Sequence, residues 1–140
     1  MKIRKRFKIT TVLLLTTLLF SCAKTSSNDV VGSWVLDEVK GVKGNEKVTL
    51  DRENHASMYG GDYYYAFQEN GKALLVQTDG TGASSTTEST YTYSNNEVQY
   101  NDAKGTITFI YDKASNTLTQ TMNEKVGEYD SLEFIYKRKK

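Results

Sequence analysis

The stretch Tyr63–Gln77, YYYAFQENGKALLVQ, indicates the fold most directly. Two apolar runs, Tyr63–Phe67 and Ala73–Gln77, lie on either side of Asn70-Gly71. An Asn-Gly pair between apolar runs favours a tight type I′ turn, because both central residues of that turn need a positive φ. The stretch therefore predicts an antiparallel β-hairpin.

Six further segments have the same character, with short apolar runs separated by turn residues. These predicted strands are Val31–Val39, Thr90–Tyr93, Val98–Tyr100, Thr106–Tyr111, Thr117–Met122 and Leu132–Tyr136. Together with the hairpin they make eight strands, a pattern typical of an up-and-down meander. Side chains such as Ile107, Phe109 and Tyr111 share a parity, so one face of the sheet is predicted to be buried. Because an open meander would leave two exposed edges, we predict an all-β domain whose eight antiparallel strands close into a barrel.

Two segments do not follow this pattern. Residues 41–61 contain a possible short strand at Lys47–Leu50, and their polar and glycine residues leave a short helix and a lid as alternatives. Thr78–Ser89, TDGTGASSTTES, is predicted to be a mobile polar loop. Within it, Asp79–Gly82 lacks the alternating acidic ligands of a calcium loop, so we interpret it as a turn.

Residues 1–21 have the composition of an export signal. A basic run, Lys2–Lys8, precedes the twelve-residue stretch Ile9–Phe20, which is apolar apart from threonines. A helix of that length would span only about 18 Å, which is shorter than the roughly 30 Å hydrocarbon core of a bilayer. We therefore predict a secretory signal peptide rather than a transmembrane anchor.

The end of this segment, LFSC at residues 19–22, resembles the lipobox of bacterial lipoproteins. The cysteine thiol takes up a diacylglyceryl group as a thioether, and the small residue before it gives the signal peptidase access to the bond. The resemblance implies that residues 1–21 are removed, that Cys22 is lipidated and that residues 22–29 form a flexible tether. Ala23 resembles the outer-membrane sorting pattern, which implies a lipid-anchored protein of the outer membrane facing the periplasm. An ordinary secretory signal followed by a stray cysteine is the alternative.

The first predicted strand contains a second recognisable motif, Gly32-x-Trp34. This motif, followed by a meander rich in tyrosine and threonine, resembles the lipocalin superfamily, and in particular the small lipocalin-like domains of Gram-negative lipoproteins. The phrase FQENGK at residues 67–72 resembles the F-x-x-x-G hairpin of those domains. The resemblance covers residues 30–137 and implies a lipocalin-like barrel domain over residues 30–140.

In lipocalins the motif tryptophan closes one end of the barrel, and a basic residue from the last strand lies across it. Arg138 shares its parity with the apolar residues of the last predicted strand, so the resemblance implies that it stacks on Trp34. The alternative is that Arg138 belongs to a solvated basic tail, Lys137–Lys140.

Charge and cysteine content exclude several functions. Five of the 18 basic residues and none of the 17 acidic residues lie in residues 1–21, so the mature chain has a formal net charge of −4. Nucleic-acid binding relies on basic surface, so we expect no nucleic-acid partner. Cys22 is the only cysteine, and once it is acylated no thiol remains for a disulfide, a thiolate nucleophile or a zinc site.

The sequence contains no recognisable catalytic or metal-binding constellation. His55 is the only histidine and lies in a polar segment without a nucleophile motif. Asp51, Glu53 and His55 alternate, but ligands spaced in this way along one strand fan out and rarely meet at one ion. We therefore predict no enzyme, no metal site and no cofactor.

The aromatic content is the feature that suggests a ligand. An eight-stranded barrel is just wide enough to be filled by its own side chains or to hold one small ligand. We predict that the barrel is lined by Trp34, Tyr63, Tyr65, Phe67, Tyr91, Tyr93, Tyr100, Phe109, Tyr111, Phe134 and Tyr136. Two functions remain open: a membrane-anchored module that binds a small hydrophobic molecule, or an accessory lipoprotein with a filled barrel that docks on an envelope protein through its outer face.

Overall fold

The computed structural model describes residues 29–140. The predicted signal peptide, the predicted lipidation site Cys22 and residues 22–28 of the predicted tether lie outside this range. Within it the chain forms nine strands and one short helix. They are β1 (Gly32–Lys43), β2 (Glu46–Thr49), α1 (Ala56–Tyr59), β3 (Asp62–Phe67), β4 (Lys72–Thr78), β5 (Ser84–Ser94), β6 (Glu97–Asp102), β7 (Gly105–Asp112), β8 (Thr117–Met122) and β9 (Ser131–Arg138). No helix in this part of the chain has the length and apolar character that a membrane span requires.

The strands close into an antiparallel up-and-down barrel. Each strand from β3 to β8 pairs with the next along the chain, while β1 pairs with β3 on one side and with β9 on the other. Eight strands therefore form a continuous ring, which confirms the predicted fold class. The ninth strand, β2, pairs only with the last residues of β1, Lys40–Lys43. Because the ring closes between β1 and β9, the barrel is complete within the described residues.

A β-bulge in β1 changes the direction in which its side chains point. The pairing with β9 shifts register between Leu36 and Glu38, so that Trp34 and Val39 are both fully buried although they differ in parity. Such an extra residue bends a strand and re-aims the side chains that follow it. The bulge lets β1 pair with β3 near Trp34 and with β2 beyond Val39.

The core is a cluster of aromatic rings inside the barrel. Tyr65 lies at its centre, with ring centroids of Tyr100, Phe109 and Tyr136 at 5.3, 5.1 and 5.6 Å in edge-to-face arrangements. This geometry is the favoured one for aromatic pairs, and each pair adds about 0.5–1.5 kcal/mol beyond the burial of its area. These rings stabilise the barrel without any disulfide.

The turns agree with the predicted positions but not always with the predicted type. A tight turn does join β3 to β4, with the amide of Gly71 donating to the carbonyl oxygen of Gln68 at 3.2 Å. Only Gly71 has a positive φ there, so the predicted type I′ conformation of Asn70-Gly71 is wrong. Asn95 and Asn96 instead both have positive φ values, 51° and 62°, as a type I′ turn requires.

The two irregular segments differ in how far the predictions hold. In residues 41–61 the possible short strand is confirmed as β2, and of the two alternatives, a helix and a lid, the short helix is present as α1. The predicted loop Thr78–Ser89 is wrong from Ser84 onward, because β5 begins there and pairs with all of β4. These β5 residues are nearly all exposed, so their strand conformation comes from backbone pairing and the β-propensity of threonine rather than from burial. Asp79–Gly82 is a turn, as predicted, in which the Asp79 carboxylate accepts from the amides of Thr81 and Ala83.

Candidate ligand-binding site

One end of the barrel, the Trp34 end, is closed by Trp34 and Arg138. The guanidinium carbon of Arg138 lies 4.4 Å from the centroid of the Trp34 ring, which confirms the predicted stacking. The same side chain donates to the carbonyl oxygen of Val31 at 2.7 Å, to that of Asp29, and to Oδ1 of Asn116 at 3.1 Å. Arg138 therefore ties the start of the barrel to its last strand.

Gly32 makes this closure possible. Its φ of +134° is one that side chains rarely adopt, and a Cβ atom at this position would lie 2.8 Å from Nη1 of Arg138. Trp34 is held in turn by its own indole N–H, which donates to the carbonyl oxygen of Val30 at 2.9 Å. The Gly-x-Trp motif thus has a local explanation: the glycine leaves room for the arginine that covers the tryptophan.

The opposite end contains a cavity of about 480 Å³. Its wall is formed by α1 and the segment after it, by β3, and by β8 and β9 with their connection. The lining residues are Ser57, Met58, Gly60, Tyr63, Tyr65, Gln120, Met122, Val126, Leu132, Phe134 and Tyr136. Ser57 and Gly60 are exposed, so the cavity reaches solvent beside α1. The barrel is therefore filled at the Trp34 end and hollow at the α1 end.

The residues predicted to line the barrel divide between these two ends. Four of them border the cavity: Tyr63, Tyr65, Phe134 and Tyr136. The other seven do not border it and pack in the filled part: Trp34, Phe67, Tyr91, Tyr93, Tyr100, Phe109 and Tyr111. All are buried except Tyr63 and Tyr93, which are half-buried against the core.

Several lining residues were missed at the sequence level. The alternation of β8 and β9 indicates that Met122 and Leu132 face inward, because Met122 shares its parity with the buried Leu118 and Leu132 shares its parity with the buried Phe134. Met58 and Val126 lie in segments without periodicity, and no sequence pattern points to them. Only the folded chain brings them to the mouth of the barrel.

A short polar chain lies at the floor of the cavity. The hydroxyl oxygens of Tyr63 and Tyr136 are 2.9 Å apart, and the Tyr136 hydroxyl donates to Oε1 of Gln120 at 3.3 Å. Burial raises the pKa of Tyr63 and that of Tyr136, so both phenols are neutral at physiological pH. Burial likewise raises the pKa of Tyr65. None of the residues that line the cavity carries a charged side chain.

The cover of the cavity, α1, is fixed by Tyr59. The Tyr59 hydroxyl donates to the carbonyl oxygen of Leu50 and accepts from the amide of Val39 at 3.4 Å. Gly60 ends the helix in the left-handed conformation, with a φ of 65°. These contacts hold Met58 over the barrel, where its side chain packs against the core.

The connection between β8 and β9 forms another part of the rim. Val126 and Tyr129 exchange two backbone hydrogen bonds of 3.0 Å each. The Tyr129 ring lies so close to Gly41 that a Cβ atom there would meet ring atoms at 2.4–2.7 Å. Gly41 therefore lets Tyr129 pack directly on β1, and this contact positions Val126 at the cavity.

The segment with the lone histidine forms a local turn before α1. His55 directly precedes α1, and its backbone amide donates to the carbonyl oxygen of Asp51 at 2.8 Å. The Asp51 carboxylate accepts from the amide of Glu53 and from the side chain of Asn54, so it stabilises a local turn. Within residues 29–140, no group of three or more histidine, cysteine, aspartate or glutamate side chains is arranged to hold a metal.

Other depressions on the surface are less suited to an apolar ligand. One, of about 550 Å³, lies beside Val31–Ser33 and the β3–β4 turn. Another, of about 370 Å³, is lined mainly by polar residues of the β4–β5 hairpin such as Thr78 and Ser85. The cavity at the α1 end has the most apolar wall and reaches into the barrel itself.

Comparison with known proteins finds similarity between this chain and two solved structures. No known family model matches this chain, and no curated protein matches it. Among solved structures, it is similar to a lipocalin-like protein from Bacteroides uniformis, with 17% identity and a TM-score of 0.49, over 79% of this chain and 99% of the other. An uncharacterized protein from Bacteroides eggerthii is similar with 14% identity and a TM-score of 0.46, over the same shares. The protein class is defined by its own strand pairing and cavity: a closed antiparallel β-barrel that is hollow at one end.

Proposed function

We propose that this protein is a membrane-anchored lipoprotein that binds a small, largely apolar molecule at the α1 end of its lipocalin-like barrel. The observation that carries this proposal is the cavity of about 480 Å³. Its size lies within the roughly 300–1,000 Å³ of typical ligand pockets, and it combines apolar walls with a few polar groups, as such pockets do. The lining offers hydroxyl, amide and thioether groups and no carboxylate, imidazole or amine, which favours binding over catalysis.

The lipid anchor is supported by the lipobox-like residues 19–22 and by Ala23, which favours the outer membrane and a periplasm-facing domain. The acyl chains of a lipoprotein bury many methylenes at about 0.8 kcal/mol each, so release from a bilayer would be very slow. Arg138 binds the carbonyl oxygen of Asp29 at the Trp34 end of the barrel. Leu132, which lines the cavity, lies six residues before Arg138 in β9 and therefore towards the opposite end. A tether that leads from the membrane to Asp29 would thus place the Trp34 end nearer the membrane and direct the cavity away from it.

Native mass spectrometry of the mature protein tests the binding function. We expect a bound small molecule that survives purification and is lost in the variant Met122→Trp, which fills the cavity. Thr121→Trp is the matched control, because Thr121 is the exposed neighbour of Met122 on the same strand. A wild-type protein that is always free of small molecules, after expression in its native envelope, would contradict the proposal.

The anchor has a separate test. The variant Cys22→Ala should lose its lipid and no longer fractionate with the outer membrane. Unchanged membrane association of this variant would show that the lipobox interpretation is wrong. This result would leave the binding function untouched.

The alternative, docking on an envelope protein through the outer face, has less support. The exposed large apolar residues of the described chain are Val48 on β2 and Ile110 on β7, which lie on strands that do not pair with each other. Single exposed apolar residues are normal and do not mark an interface. A ligand-free protein that co-purifies with one specific envelope protein would favour this alternative.

A further inference from the structure

We infer that the cavity prefers ligands with an uncharged polar end, such as a hydroxyl or amide group, over ligands that end in a carboxylate. This inference rests on the proposed function and adds the chemical class of the ligand. Its basis is the polar chain at the floor, which consists of the side chains of Tyr63, Tyr136 and Gln120.

The hydrogen-bond pattern of this chain determines what it can offer to a ligand. The Tyr136 hydroxyl donates its only proton to Oε1 of Gln120, so the Tyr63 hydroxyl is the donor in its contact with Tyr136. Both phenol protons are then used. Among the hydrogen bonds of residues 29–140, none involves the amide nitrogen of Gln120, which remains a donor at the cavity wall. The phenol oxygens retain lone pairs as acceptors. A neutral group that both donates and accepts, such as an alcohol or a primary amide, matches this set.

A carboxylate does not match it. None of the lining residues is a lysine, arginine or histidine, so an ionised carboxylate would leave water without gaining an opposite charge. Burying an unpaired charge costs far more than burying a neutral polar group. The phenols at the floor experience the same penalty, since burial raises the pKa of each of Tyr63, Tyr65 and Tyr136. The surroundings thus disfavour negative charge at the point where the polar end of a ligand would lie.

A displacement assay tests the preference on the mature chain, residues 22–140, with Cys22→Ala. The neutral fluorophore N-phenyl-1-naphthylamine serves as the bound probe, and decan-1-ol, decanamide and decanoate compete for it at about pH 8, where the carboxyl group is ionised. We expect the alcohol and the amide to displace the probe at concentrations about tenfold or more below that of decanoate, a factor that corresponds to about 1.4 kcal/mol. Lowering the pH to about 5 should strengthen the binding of decanoic acid and leave the binding of decan-1-ol unchanged.

Variants locate the effect at the floor of the cavity. Gln120→Lys introduces a cation there and should raise the affinity for decanoate about tenfold or more relative to decan-1-ol. Gln99→Lys is the matched control, because Gln99 is exposed on β6, and its preference should equal that of the wild type.

The outcomes separate this inference from the proposed function. Equal or better displacement by decanoate in the wild type at about pH 8 would overturn the neutral preference while leaving the binding function intact. If neither the probe nor the competitors bind, both the neutral preference and the binding function are contradicted. If Gln120→Lys does not fold, the wild-type comparison and its pH dependence decide by themselves.

Discussion

Removal of the Arg138 side chain should destabilise the barrel far more than removal of its neighbour Lys139. Arg138→Ala removes a cation–π contact at 4.4 Å, worth about 0.5–2 kcal/mol. It also removes the charge-assisted hydrogen bonds to the carbonyl oxygens of Val31 and Asp29, which contribute about 1.5–3 kcal/mol each where they are fully buried. Because Arg138 is only half-buried, we expect a net loss of about 3 kcal/mol. A domain of this size has about 5–15 kcal/mol of stability, so the loss is a large part of it.

Urea unfolding followed by the fluorescence of Trp34, the only tryptophan, measures this loss. Lys139→Ala is the control, since Lys139 also lies over an aromatic ring, that of Tyr64 at 4.0 Å, but is exposed. We expect that control to cost about 0.5 kcal/mol. Arg138→Lys should fall between the two, because lysine retains the charge and loses the planar fork that reaches two carbonyls. Equal losses for Arg138→Ala and Lys139→Ala would refute the role given to Arg138.

Three further results are expected from the same unfolding assay. Gly32→Ala should cost about 2 kcal/mol, because the φ of Gly32 is +134° and the new methyl group would meet Arg138. Gly80→Ala should be nearly neutral, because a Cβ atom there would meet no atom of residues 29–140 within 4 Å, and equal effects of the two substitutions would contradict this explanation. Tyr100→Phe should leave stability unchanged or raise it by up to about 1 kcal/mol, because the buried Tyr100 hydroxyl has no hydrogen-bond partner within residues 29–140. A loss above about 1 kcal/mol would contradict this. The free energy of unfolding should be constant from about pH 7 to about pH 9 and fall as the pH rises through the unfolded-state tyrosine pKa of about 10. Burial raises the folded-state pKa of Tyr136 and that of Tyr65, so above this pH the folded state retains protons that the unfolded state loses. A flat profile to about pH 11 would contradict this.

The missing partner of Tyr100 has a structural reason. Its hydroxyl lies close to Ser89, but the Ser89 hydroxyl donates instead to the carbonyl oxygen of Asn101. The Tyr100 phenol is therefore buried with no partner in the described part of the chain. Burial raises the pKa of Tyr100 as it does for the other core tyrosines.

Much of the fold could be predicted because period-two patterns and turn residues are local signals. Phe109 and Tyr111 share a parity, and both side chains are buried in the barrel. Asn95-Asn96 lies at a tight turn. The extension of β5 to Ser84 gave no such signal, since its residues are exposed and the strand exists through pairing with β4. Local pattern therefore predicts strands that have a buried face and misses those held by backbone pairing alone.

The position of the cavity could not be predicted from the same signals. Whether a barrel is filled depends on the summed volume of the side chains in each layer along its axis. Tyr65 and Tyr136 lie at the boundary between the filled part and the cavity, where their rings pack edge to face against each other. Met58 and Val126 reach the mouth through the contacts of Tyr59 and Tyr129 with distant segments. Such contacts are tertiary and leave no periodic trace in the sequence.

The most direct test of ligand binding at the α1 end uses methyl NMR. Residues 22–140 contain two methionines, Met58 and Met122, and both line the cavity. With ¹³C-methyl methionine in residues 22–140, titration with decan-1-ol should shift both methyl resonances in a saturable manner. Two resonances that stay in place throughout the titration would contradict the claim that this cavity is the binding site.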